Sequence, residues 1–294
     1  MMVEYMSVKI KKYPQTRVCR EFYDVIEFMK RYAAKGYNKN WHWGRWEWLL
    51  GHVGLDESTL PSIGLFMDGD EIAGIATHDM SAQAYIIASP KYAEIKPDMV
   101  DYAFAELSHE GVSSIFVDEN DKGLVSAVKE KGYSLTTKDE YVLELDCAEN
   151  LSYSLDSKFT LTDYCTDKDI DKYITVIHKG FGDEGEPDKL AEADIPEKPH
   201  YSPNLAVFIV APNGEYAAHC GTWYNSDTET CYVEPVVTIP EFRKQGLGKA
   251  VVYESINRCV KMGAKKAIVI SNQQFYYSIG FKKYSVCRLW EKQI

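Results

Sequence analysis

Hydrophobic and polar residues follow one another along this chain in two successive sets of the same design. Gly64-Leu-Phe-Met-Asp-Gly-Asp-Glu-Ile-Ala-Gly-Ile-Ala-Thr77 consists of two apolar runs around an Asp-Gly turn, the signature of a β-hairpin. Residues 205–223 repeat that design around Asn213-Gly214. Each hairpin is followed by a strand (84–88, then 231–237), a helix (97–108, then 247–262) and a strand opened by glycine (111–117, then 263–270). A second helix ends in a Gly-aromatic pair each time, at Gly132-Tyr133 and Gly280-Phe281, and each set closes on a strand, 141–145 and 286–291. A helix also opens each set. One covers 18–34, with Phe22, Val25, Ile26, Met29 and Tyr32 in helical register. The other covers 167–180 and starts at the capping-box-like Thr166-Asp-Lys-Asp169.

The two sets match in the order of their elements and hardly at all in residue identity. They predict a duplicated α/β fold of two lobes, 1–147 and 158–294, each a mixed, mostly antiparallel sheet flanked by helices. The polar stretch between Leu145 and Phe159 is the expected boundary, and the acidic, proline-rich run 182–199 reads as a solvated loop or a substrate-side lid. Length agrees with two domains or one large one, since the chain has 294 residues. A hydrophobic content of 45% is ample for a packed core.

Charge narrows the function classes. With 44 acidic against 33 basic side chains and a net charge of −11, the chain lacks the basic footprint of a nucleic-acid surface. The 7 cysteines are odd in number, scattered and never spaced as Cys-x-x-Cys, which predicts reduced thiols in a cytoplasmic protein. No run approaches the length of a membrane span, and the N-terminus lacks the order of a signal peptide. Neither a membrane nor nucleic acid is an expected partner. His178, His200 and His219 have no ligand spacing, so no metal is expected.

The sharpest chemical signal is Arg243-Lys-Gln-Gly-Leu-Gly248, which joins a β-rich run to an amphipathic helix. Glycines at such a turn let backbone N–H groups converge on an anion, and the helix N-terminus adds partial positive charge. Arg243, Lys244 and Lys249 bring formal charge to the same point of an acidic protein. A Walker loop is excluded, because Arg243 stands where its first glycine belongs and Ala250 where its hydroxyl belongs. A dinucleotide fingerprint lacks its third small residue, since that position is Val251, which disfavours an oxidoreductase. The pyrophosphate loop of acyl-CoA transferases, Arg/Gln-x-x-Gly-x-Gly/Ala, is fully matched by Arg243, Gly246 and Gly248.

Here the chain resembles the GNAT superfamily of acyl-CoA N-acyltransferases. Pro240-Glu-Phe-Arg-Lys-Gln-Gly-Leu-Gly248 is similar to that family's CoA loop, and Ser271-Asn-Gln-Gln-Phe-Tyr-Tyr-Ser-Ile-Gly-Phe281 to its second signature. The resemblance covers 159–294. The first half keeps the element order but has Ser89-Pro-Lys-Tyr-Ala-Glu-Ile-Lys-Pro-Asp98 in place of the loop, without a glycine. The chain therefore looks like a tandem GNAT of two GNAT-like lobes whose N-terminal copy has lost CoA binding.

The resemblance implies acetyl-CoA as co-substrate and direct attack by an amine. It assigns CoA contacts to the backbone of Val236, Val237 and Thr238, to Arg243, Lys244, Gln245, Gly246, Leu247, Gly248 and Lys249, and to Asn272. Pro235 within the strand fits the bulge such a site needs. Glu234 is the base candidate, a charge in an apolar strand whose burial would raise its pKa. Tyr276, four residues before Gly280, is the expected acid, with Tyr277 the neighbouring alternative. Cys231 and Cys259 read as buried apolar groups. Trp41, Trp43, Trp46 and Trp48 are either a substrate wall or inter-domain packing. The expectation is an N-acetyltransferase acting on a small-molecule or peptide amine, as monomer or homodimer; a non-catalytic acyl-CoA-binding module is the alternative.

Overall fold

A computed structural model of the chain describes residues 8–33, 40–52, 54–79, 83–187 and 199–294. The first half runs β1 (Lys9–Lys12), α1 (Arg20–Ala33), α2 (Trp43–Gly51), β2 (Gly64–Asp68), β3 (Glu71–Asp79), β4 (Gln83–Ala88), α3 (Lys96–Glu106), β5 (Val112–Asp118), α4 (Lys122–Glu130) and β6 (Ser134–Asp146). The second runs β7 (Thr160–Asp163), α5 (Ile170–Phe181), β8 (Val207–Val210), β9 (Tyr216–Tyr224), β10 (Thr230–Thr238), α6 (Leu247–Lys261), β11 (Lys266–Ile270), α7 (Gln274–Ser278) and β12 (Lys282–Gln293). The duplicated order of elements read from the pattern is present. Most of the predicted loop or lid at 182–199 lies outside the described residues.

The two sheets run on into one of 12 strands, ordered β1-β2-β3-β4-β5-β12-β6-β11-β10-β9-β8-β7. Each half hands its last strand to the other. Strand β12 pairs with β5, from Cys287 opposite Asp118 to Gln293 opposite Val112, and β6 pairs with β11, from Asp146 opposite Lys266 to Val142 opposite Ile270. The exchanged strands pair with each other at the centre. Only β4/β5 and β10/β11 are parallel among these neighbours, and both pairings are short, 84–85 with 115–116 and 230–232 with 266–268.

Side-chain alternation gives the sheet two apolar faces. In the second half, α6 and α7 cover Cys231, Val233 and Val269, while α5 covers Phe208, Tyr216 and Val237. Helices α1 and α2 of the first half cover Leu65, Ile75 and Phe116 of their own half and also Trp223, Tyr232 and Ile268 of the other. That core crosses the seam, so the halves share apolar burial as well as strand pairing. The tryptophan-rich segment forms α2, an element the hydrophobic pattern did not predict. Trp41, Trp43 and Trp46 are fully buried in the shared core, and Trp48 is half-buried with its ring edge against His52.

Candidate active site

Strand β10 carries the first part of the site. Its pairing with β9 slips between Val233, opposite Thr222, and Val236, opposite Cys220, so Glu234 and Pro235 bulge out of register across a cis peptide bond. Beyond the bulge β10 diverges from β11, and a cleft of about 780 Å³ opens at its end. Val236, Val237 and Thr238 form one wall, Phe275, Tyr276 and Ile279 another, and the turn into α6 the floor.

The turn is built to leave backbone donors free. Lys244 and Gly246 both have positive φ, +62° and +81°, and Gly246 is the N-cap of α6 with no side chain to cap it. The first intrahelical bond is from Ala250 N to Gly246 O at 3.1 Å, so the N–H groups before it point outward at the positive end of the helix. A Cβ on Gly248 would lie 3.2 Å from the Phe275 ring and 3.4 Å from Thr238 Oγ1, so the turn sits close against both walls. Among the described residues Lys244 and Lys249 form no ion pair. Arg243 lines the cleft and also ties the loop down. Its Nε donates to Thr238 O and its Nη2 to Gly180 O, each at 2.9 Å, which ties the loop to β10 and to the end of α5.

Glu234 is partly buried and accepts a hydrogen bond from the Tyr232 hydroxyl at 3.3 Å. Burial pushes its carboxyl up to about 7, against the opposing pull of the Arg45 guanidinium and the Tyr232 bond. Tyr276 comes from α7, and its core partners are those of the α6 side of the sheet. Burial, with Glu234 and Cys220 nearby, holds its phenol well above the ordinary tyrosine range, so it keeps its proton at neutral pH.

A second, smaller cleft of about 280 Å³ lies at the seam. Asp79, Tyr85 and Glu140 from the first half face Ile270, Ser271 and Asn272 from the second. Arg45 braces it, with Nη2 2.8 Å from Glu140 Oε1 and 2.9 Å from the Tyr85 hydroxyl, and with Asp79 as a further partner. Its guanidinium also lies 4.6 Å from the centre of the Trp41 ring.

The model of the acetyltransferase (GNAT) family matches residues 171–281. That segment is a GNAT acetyltransferase domain. It holds the bulged β10, the glycine turn and α7. No sequence match was found among curated proteins. By fold, the whole chain is similar to a GCN5-related N-acetyltransferase from Sphaerobacter thermophilus, at TM-score 0.61 and 13% identity over 97% of this chain and 95% of that one. It is equally similar to a tandem GNAT protein from the clavulanic acid biosynthesis pathway, at TM-score 0.61 and 11% identity over 97% and 98% of the two chains. A GCN5-related N-acetyltransferase from Kribbella flavida follows at TM-score 0.52 and 16% identity, covering 75% and 86%. At these identities the likeness is one of fold, and it extends across both halves.

Within the GNAT segment the structure gathers Val236, Val237, Thr238, Arg243, Lys244, Gly246, Leu247, Gly248, Lys249 and Tyr276 around one cleft. Gln245 is not among its lining residues; its side-chain amide is directed at Glu241 O. Asn272 faces the seam cleft, and Gln273 takes the position beside the larger one. Tyr277 packs against the core of the α6 side. Sequence reasoning missed Gly180 and Phe181 at the end of α5, which close the cleft from a distant segment. It also missed Phe275, which the aromatic motif contained. His178, His200 and His219 are each engaged separately, with Gly185 O, Glu47 and Val207 O. Among the described residues no group of three or more His, Cys, Asp or Glu is placed to hold a metal, and no helix is long and apolar enough to cross a membrane.

Proposed function

We propose that the protein is an N-acetyltransferase, moving an acetyl group from acetyl-CoA to an amine in its C-terminal half. The observation that carries this reading is the open start of α6, where outward N–H groups and two lysines without ion pairs among the described residues line a cleft whose wall begins at Val236, next to the β10 bulge. That arrangement suits the pyrophosphate of CoA at the helix end, with pantetheine along Val236–Thr238 as an added strand. A backbone N–H of that stretch would polarise the thioester carbonyl.

Glu234 and Tyr276 then divide the proton transfers. With its carboxyl near 7, Glu234 is ionised in a useful fraction of molecules and accepts the proton that the attacking amine must lose. As the new C–N bond forms and the C–S bond breaks, Tyr276 gives its phenolic proton to the leaving sulfur. The acceptor is an amine of a small molecule or peptide, and no metal takes part in this scheme. The domain assignment follows the same reading: 158–294 is catalytic and 1–147 contributes no CoA loop. Thermal melting with acetyl-CoA, CoA and NADH, followed by thiol release across a panel of amines, tests it. Stabilisation by CoA and thiol release with some amine are expected; stabilisation by NADH alone would overturn the reading.

A further inference from the structure

Glu234 is held by two rings of its own half that the other half presses into place. Its main-chain carbonyl accepts from Trp223 Nε1 at 3.0 Å, and its Oε2 accepts from the Tyr232 hydroxyl at 3.3 Å. Both rings belong to the second half, and both are pressed by the first turn of α2 from the first half. Gly44 makes this approach possible, because a Cβ there would stand 2.5 Å from Trp223 Cβ and 3.1 Å from Tyr232 Cδ1. The His42 ring lies over Tyr232 at 5.4 Å and 31°. His42 is itself fixed as the cap of α2, its Nδ1 accepting from Gly44 N at 3.0 Å. The next residue, Arg45, anchors the turn through Glu140, Asp79 and Tyr85.

We propose that Tyr232, clamped by the first turn of α2, is a positioning residue for Glu234, so that the N-terminal half is a working part of the C-terminal site. This rests on the acetyl-transfer reading for its consequence in catalysis, but its physical content is the orientation and proton affinity of one carboxyl. The titratable groups near Glu234 are Tyr232 on its own strand, Arg45 and His42 from α2, Asp79 from β3, Cys220 from β9 and Tyr276 from α7. His42 is neutral, since burial lowers its pKa to about 3. Burial pushes Cys220 up to about 12, so it too carries no charge at neutral pH. Arg45 exerts the larger pull toward the ionised carboxyl and Asp79 a smaller opposing one, while Tyr232 is the group that hydrogen-bonds the carboxyl directly.

The test reads the carboxyl directly. Full-length protein carrying carbon-13 in its glutamate carboxyls is titrated by NMR, with Glu234→Gln assigning the resonance. In Tyr232→Phe the midpoint should rise by about half a unit to one unit, since a hydrogen bond to the ionised form is lost. Turnover at pH 7 should then fall about two- to fivefold with acetyl-CoA KM unchanged, as fewer molecules hold Glu234 ionised. Gly44→Ala, which must push α2 off both rings, should move the same resonance. An unchanged Glu234 titration in Tyr232→Phe would overturn the positioning role, and an unchanged one in folded Gly44→Ala would overturn the part given to α2. A purely structural contact would lower the melting temperature without moving the midpoint. If the parent protein releases no thiol with any amine, the transfer reading fails, whereas the carboxyl titration still decides the role of Tyr232.

Discussion

The same turn, from the strand after the hairpin into the next helix, is built in two ways in this molecule. In the second half it is Arg243–Lys249, with two positive-φ residues, an uncapped helix start and lysines without carboxylate partners among the described residues. In the first half Ser89–Asp98 fills the place. Ser89 caps a short 3₁₀ turn by accepting from Lys91 N, and Pro97 stands in the first turn of α3. Lys96 Nζ meets both oxygens of Asp121 at 2.7 and 2.8 Å, and Lys91 meets Glu71 at 3.0 Å. Asp121 in turn caps α4 through Leu124 N. The backbone order is the same, yet one turn leaves its first helical donors free while the other ties both of its lysines to carboxylates. The same order of elements thus accommodates an open glycine turn in one half and an internally bonded turn in the other.

Gly248→Asp should have the largest effect on this contrast. Its side chain would enter the contact with Phe275 and Thr238 and put a negative charge at the helix end proposed to hold the pyrophosphate. Stabilisation by CoA and all acetyl transfer should disappear, as read by melting curves with and without ligand. Persistent CoA binding would remove the cradle from the account. Next come the two residues proposed to carry protons. Tyr276→Phe and Glu234→Gln should each lower kcat by about 10²–10⁴-fold with little change in CoA affinity. Unchanged turnover in both would leave only proximity and backbone polarisation as the mechanism.

How far these features were legible in the sequence depends on how local they are. The glycine turn lies within a few consecutive residues, so its place between strand and helix and its uncapped helix start are readable from the order of amino acids alone. Glu234 stood out as a charge among apolar residues, and the bulge beside it was foreshadowed by Pro235. The exchange of β6 and β12 was not legible, since alternation marks a strand without naming its neighbour. The clamp on Glu234 was hidden for a related reason. Gly44, Arg45, Asp79, Tyr85 and Glu140 are scattered over the first half, and only the shared sheet brings them to Tyr232. The tryptophan cluster was visible as a composition anomaly, but its burial across the seam depends on that same sheet.

Trp46 sharpens the question of whether the halves are separate bodies. It is fully buried in the core that both halves share, with an edge-to-face contact to Tyr13 at 5.5 Å. Trp46→Ala should cost about 3–5 kcal/mol and lower one cooperative transition. A variant with two transitions, the upper one still raised by CoA, would show that the halves melt independently. Glu234→Gln gives a stability effect of slightly smaller size. Its carboxyl ordinarily titrates at 4.5 and is pushed up to about 7 in the folded protein, so the folded state holds the extra proton between those values. Stability therefore falls as pH rises through that window, and the glutamine variant escapes the fall. Urea unfolding at pH 8 should find it more stable than the parent by up to about 3 kcal/mol, a difference that shrinks toward pH 5.

The smallest effect belongs to the rebuilt turn of the first half. Lys96→Ala removes the cation paired with Asp121 but leaves Asp121 free to cap α4, so the loss is that of one partly exposed ion pair, about 0.5–1 kcal/mol. Calorimetry should find one CoA per chain in both parent and variant, because Pro97 and the capped 3₁₀ turn still block backbone approach when the lysine is gone. Two sites in the parent would mean that the first half binds CoA by a route other than this turn. One site in the parent and two in Lys96→Ala would mean that the Lys96–Asp121 pair alone closes it, and the difference between the halves would then be a matter of charge rather than of backbone shape.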